Sequence, residues 1–176
     1  MDDNYAKFYN PSENLAVDEV IVKYRGRVIF RQYIPKKRKR FSIRIYKLYD
    51  EAGYMCAMRV YLGKDSQSAT DDMTTTHATV RRLTHSVEGL VHKLFMDNFF
   101  SSPRLSDDLD GHKINSCGTV RPNRKDMPRD FGPKKLKLKR GDVRVKTRGG
   151  LTALVWKDRR VVYVLHGYTT SRRKFL

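Results

Sequence analysis

The chain has 176 residues, with 37 Lys and Arg against 19 Asp and Glu, a net charge of +18 and a pI near 10.1. With 39% apolar residues, ten Tyr and eight Phe it can bury a core as one domain with at most a small appendage, which excludes disorder by composition. No apolar run approaches the roughly 18–20 residues of a membrane span, the acidic start MDDNYAKFYNP is no signal peptide, and two cysteines without metal-type spacing fit a reducing compartment.

In chain order, NLAVDEVIVKY (14–24) predicts a strand rich in Val and Ile. YRGRVIF follows, with Gly26 marking a turn or bulge. FSIRIYKLYD (41–50) alternates, setting Phe41, Ile43 and Ile45 on one face and Arg44, Tyr46 and Leu48 on the other. EAG is a hairpin turn and YMCAMRVYLG (54–63) the return strand, so the first third reads as an antiparallel meander.

The period then changes. Val80, Leu83, Val87 and Leu90 recur at helical spacing, and Gly89 stands where a C-cap belongs. LFMDNFF predicts a strand ending at Asp97. SSPRLSDDLDG reads as a short helix, with Ser102 as cap, Pro103 in the first turn, Leu105 and Leu109 inward and Gly111 as the stop. KINSCGTV (113–120) is a further strand. Residues 121–140 carry loop chemistry, and DVRVKTR, LTALVWKD and VVYVLHG predict three short strands with turns at Gly149-Gly150 and Lys157–Arg160. A meander followed by helix, strand, helix, strand argues for an α/β fold with a mixed sheet.

The charge is clustered. Lys23 to Lys47 holds eleven Lys and Arg and no acid, and Arg121 to Arg148 holds twelve. Such runs suit a polyanion, nucleic acid before an anionic membrane, although a solvated surface is the plainer account of any single run. PKKRKR (35–40) has the form of a nuclear localisation signal and equally that of a phosphate-contacting loop. Tyr24, Tyr33 and Tyr46 interleave with basic residues, where stacking on bases competes with packing. The five His share no ligand spacing. Trp156 is expected in the core, and Cys56 and Cys117 as small buried apolar residues.

Two acids stand on apolar strands, Asp18 in LAVDEVIV and Asp97 in LFMDNFF. Burying an unpaired carboxylate is costly, so each needs a partner. Paired in one pocket they would repel unless a cation such as Mg²⁺ lay between them. The alternative is two strand-end carboxylates bonded to backbone N–H groups.

The segments ENLAVDEVIVKYRGRVIFRQYIPKKRKRFSIRIYKLYDEAGY, LFMDNFFSSPRL and CGTVRPNRKDMPRDF resemble the transposase domain of piggyBac elements and of host proteins derived from them, over roughly residues 10–165. The resemblance implies a partial ribonuclease-H-like mixed sheet with flanking helices (1–120), a β-rich insertion (121–165) and a divergent tail (166–176). It implies a Mg²⁺ site using two metals and three Asp, cutting at element ends and joining to TTAA targets. Asp18 matches the first ligand and Asp97 the second. Glu19 points to the other face of its strand. DNA contacts are expected from Arg25, Arg27, Lys36, Lys37, Arg38, Lys39, Arg40, Arg121, Arg124 and Lys125, in a nuclear protein that meets DNA and other transposase subunits and no membrane.

The third Asp of the family lies in a G-V-D motif beyond the insertion. HGYTTSRRKFL does not match it, and Asp158, in a strand turn, is a poor substitute. The family's N-terminal DNA-binding region and Cys-rich zinc module are also unmatched, so the chain reads as the middle piece of a transposase. The expectation is a DNA-associated domain without transposition activity of its own. Its alternatives are an active enzyme with the third carboxylate supplied elsewhere, and a protein-interaction remnant.

Overall fold

A computed structural model describes residues 9–35, 40–63, 73–132 and 136–167. Lys36–Lys39 and the tail from Tyr168 lie outside the described residues. The chain divides into two compact units, Met1–Val87 and Glu88–Leu176.

In the first unit β3 (Phe41–Asp50) is the central strand. β1 (Asn14–Lys23) runs antiparallel along one edge, from Leu15 opposite Asp50 to Lys23 opposite Ser42. The other edge is shared. β2 (Gln32–Tyr33) takes its start and β4 (Met55–Val60) its remainder, with a bulge between Leu48 and Tyr49. The hairpin turns at Gly53, whose φ of +80° is one that glycine adopts without strain. Alternation buries Ser42, Tyr46, Leu48 and Asp50 on one face of β3. Residues 24–31 are a turn-rich loop, held where the Arg31 guanidinium donates to the carbonyls of Arg25 (3.3 Å) and Gly26 (3.1 Å).

Helix α1 (Thr75–Thr84) packs Ala78, Val80 and Leu83 inward, and Thr74 caps it by accepting from His77 N (3.3 Å). It stops earlier than its apolar period predicts. Thr84 turns its hydroxyl back onto the Val80 carbonyl (3.0 Å), residues His85–Val87 tighten into a 3₁₀ turn, and Gly89 adopts φ +80°. Val87 is still buried, but Leu90 is 58% exposed and not part of the helical face.

The second unit is a mixed sheet in the order β5 (Lys93–Met96), β6 (Asn115–Thr119), β9 (Val161–His166), β8 (Leu151–Lys157), β7 (Val143–Arg148). β5 and β6 are parallel, joined through helix α2 (Pro103–Gly111), and the remaining pairs are antiparallel. Ser102 caps α2 through Leu105 N (3.3 Å), and Leu105 and Leu109 are fully buried. Phe131, in a 3₁₀ turn at Arg129–Phe131, joins Val120, Met127, Leu151, Ala153, Val155 and Leu165 in one core.

The expectation for Trp156 is corrected. The two-residue period that buries Leu151, Ala153 and Val155 turns Trp156 to the opposite face, beside Val143 and Val162, where it is 45% exposed.

Candidate metal and nucleic-acid site

Asp97 follows the last residue of β5, exposed to solvent, so the apolar run LFMDNFF is not one buried strand. Leu94 and Met96 face the core, and the chain then turns. The Asp97 Oδ1 accepts from Phe99 N (2.9 Å) and Phe100 N (3.4 Å). The Asp97 carbonyl accepts from Ser101 N (3.1 Å) and from the Ser101 hydroxyl (2.9 Å). This Asx-type turn drives Phe100 into the core, 2% exposed. The carboxylate therefore sits at the end of an apolar run as the cap of the turn that buries the next aromatic.

The turn rests on β6. Met96 pairs with Gly118, where an added Cβ would lie 2.1 Å from the Met96 carbonyl oxygen and 2.6 Å from the Ser101 hydroxyl. Only glycine fits there without displacing backbone.

Asp18 is exposed on β1, opposite Lys47, with Oδ1 accepting from Glu19 N (2.7 Å). Glu19 faces away from it and pairs with Arg44 (3.5 Å). For both Asp18 and Asp97, no donor among the described residues reaches Oδ2. Each thus keeps a hard oxygen facing solvent, which is the donor type Mg²⁺ takes. Among the described residues no group of three His, Cys, Asp or Glu stands close enough to hold a metal ion.

The basic residues differ in what they do. Arg25, Arg27, Arg40, Arg121 and Lys125 are exposed. The Arg121 Nε donates to Asn98 Oδ1 (3.2 Å). Arg124 is half-buried and turned inward, its Nη2 donating to the carbonyls of Asn98 (3.3 Å) and Phe99 (2.5 Å). Burial pushes its pKa down, as does the neighbouring Arg121, while the Asp97 charge works against both. Three cations of the second basic segment form ion pairs: Arg140 with Asp158 (3.3 Å), Lys146 with Asp130 (2.8 Å) and Arg148 with Asp107 (2.5 Å). A cation held by a neighbouring carboxylate has less to offer a phosphate.

Sequence reasoning named Arg124 only as a DNA contact and did not single out Gly118, although both stand in the quoted segment CGTVRPNRKDMPRDF. Of the tyrosines, Tyr46 is packed at 4% exposure and Tyr33 is open at 57%, leaning on Phe41 with centroids 5.1 Å apart. Burial, helped by the Asp50 charge, pushes the Cys56 thiol up to about 11, and burial also raises Cys117, so neither is a ready thiolate.

A family model described as Transposase IS4 matches residues 1–175. The human PiggyBac transposable element-derived protein 3 is 29% identical over 165 residues, covering 90% of this chain and 28% of that protein. The human Chimeric ERCC6-PGBD3 protein is 29% identical over the same length, covering 90% of this chain and 15% of its own. The chain thus spans well under a third of these relatives. Among solved structures, a cryo-EM structure of the piggyBac transposase synaptic complex with hairpin DNA matches with a TM-score of 0.84 at 28% identity, over 96% of this chain and 36% of that one. Its ribonuclease-H-like mixed sheet is the fold described above.

Proposed function

The chain belongs to the Transposase IS4 family on its piggyBac side, and from that premise we propose a DNA-associated domain in which Asp18 and Asp97 serve as two of the carboxylates for divalent metal. One observation carries the proposal: Asp97 is fixed by backbone amides on one oxygen and open on the other, at a strand end where the resemblance expects a ligand. A protein that needed the residue only as a turn cap could use Asn or Ser there as readily. Asp18 and Asp97 would hold Mg²⁺, which when bound would supply water activation and charge stabilisation at a phosphodiester. Asp18 and Asp97 would supply anionic oxygens, and the basic residues Arg25, Arg27, Arg40, Arg121 and Lys125, with Lys36–Lys39, would hold the phosphate backbone.

Two assigned carboxylates are fewer than the family uses, so these 176 residues alone are expected to bind DNA without coordinated cutting and joining. The run PKKRKR adds nuclear import to the proposal. A second reading, docking onto other transposase subunits, is favoured by the outer strand β7, whose Val143 (53% exposed) and Val145 (52%) lie beside Trp156.

DNA binding is tested by titrating duplexes of unrelated sequence at several salt concentrations. Log affinity should fall linearly with log salt, by about 0.9 per phosphate contact, with little dependence on sequence. Changing Arg25, Arg27, Arg40, Arg121 and Lys125 to Glu should abolish binding. Affinity that ignores salt, or survives those changes, contradicts the proposal.

A further inference from the structure

Asp97 is held by more than its own strand. The two N–H groups that reach its Oδ1 belong to Phe99 and Phe100. The carbonyls of those same two peptide groups, on Asn98 and Phe99, are the ones that Arg124 Nη2 binds. A trans peptide is planar, with its N–H and C=O on opposite sides. A cation on the carbonyl end and an anion on the N–H end therefore address the same two dipoles. Each interaction polarises the peptide in the direction the other needs, so the bonds to Asp97 are strengthened and the turn's orientation is fixed.

The arm that carries Arg124 is itself anchored. Arg124 N donates to the Arg121 carbonyl (3.1 Å), Val120 N to the Tyr163 carbonyl (2.9 Å), and Val120 and Met127 on either side are buried at 4% and 7%. Arg121 ties the same turn a second time through the Asn98 side chain (3.2 Å). Beneath it, Gly118 leaves no room for the turn to sink or slide. The Arg124 Nε is buried and has no hydrogen-bond partner among the described residues, so the guanidinium is placed by its inner end.

We propose that Arg124 is a positioning residue for Asp97, acting through the Asn98–Phe99 and Phe99–Phe100 peptides to hold the carboxylate in place for a divalent cation. The inference rests on the reading of Asp97 as a metal ligand. It gives Arg124 a role distinct from contacting a DNA phosphate, which would need the guanidinium turned outward.

The test uses the full chain and needs no DNA cutting. Amide hydrogen exchange of Phe99 and Phe100 is followed by NMR in the wild type, Arg124→Met, Arg124→Lys and Asp97→Ala, together with Mn²⁺ affinity by calorimetry. In Arg124→Met both amides should exchange roughly tenfold faster while the core amide of Val155 is unchanged. Mn²⁺ affinity should fall in the same direction as in Asp97→Ala. Arg124→Lys, which restores a cation beside the two carbonyls, should recover part of both. Unchanged exchange in Arg124→Met overturns the proposal, as does an affinity that falls in Asp97→Ala but not in Arg124→Met. A Lys variant no better than Met overturns the polarisation argument. Affinity unmoved by Asp97→Ala overturns the metal reading itself, and the exchange data show separately whether Arg124 holds the turn. If Arg124→Met does not fold, Arg124→Gln is read by the same exchange, where no acceleration is again the overturning result.

Discussion

At the scale of single residues, one polar contact of the first unit carries opposite pKa shifts in its two partners. The Tyr9 hydroxyl donates to Asp50 at the end of β3, and Asp50 also accepts from Tyr54 N (2.9 Å). The Tyr9 bond, first among its causes, pushes the Asp50 carboxyl below its usual value of 3.8, and the same bond raises Tyr9 to about 12. The signs are opposite for the two groups. Asp50 is depressed, so its contribution to stability is complete above pH 3.8 and is lost as pH falls toward its folded value. Tyr9 is raised, so its contribution is complete below pH 10 and is lost as pH rises toward about 12. Urea unfolding across pH should therefore show a plateau with an acid and an alkaline shoulder. Tyr9→Phe should lower the plateau and remove the slope between pH 10 and 12 that this tyrosine causes; an unchanged alkaline slope would contradict the assignment. Gly118→Ala should prevent the native turn at Asp97 from forming, seen as loss of the protected Ser101 amide, because the new methyl would meet the Met96 carbonyl.

At the scale of elements, what the sequence disclosed depended on whether one principle decided the outcome. The alternation of β3, the existence of the strands β8 and β9 and the cap-to-stop span of α2 were legible, because local pattern and capping decided them and nothing overrode them. The end of α1 was not. A Thr that back-bonds its own helix and a glycine of positive φ cut the period short, and Leu90 stayed in solvent. Trp156 was misplaced because size and apolarity spoke for the core, whereas its parity on β8 decided the face. At the candidate site, Asp97 was legible as an anomaly in an apolar run. The work of Arg124 and Gly118 was hidden, since both act on a backbone turn some 20 residues earlier in the chain. The contrast between two large aromatics checks the packing. Phe131→Ala, from a fully buried site, should cost about 3–5 kcal/mol in urea unfolding. Trp156→Ala should cost about 1 kcal/mol or less, as for a surface residue. Equal losses would put Trp156 back in the core.

At the scale of the whole molecule, the excess of 37 basic over 19 acidic residues is the dominant property. No helix among the described residues is long and apolar enough to cross a membrane. The charge is clustered in Lys23–Lys47 and Arg121–Arg148, and a polyanion near them is electrostatically favoured at low salt. Fold and family are shared with the piggyBac transposase, whose synaptic complex contains hairpin DNA. Under the proposed function, what this chain does with DNA follows from how many metal-holding carboxylates it brings, and Asp18 and Asp97 are the two proposed. The most direct measurement incubates the purified chain with a piggyBac-type element end and Mg²⁺ or Mn²⁺, beside an Asp97→Ala control. The predicted result is DNA retained without coordinated cutting and joining, and with at most weak nicking. Specific 3′ nicking at the element end that vanishes in Asp97→Ala would contradict it, and would make the chain an active transposase with its third carboxylate supplied from elsewhere.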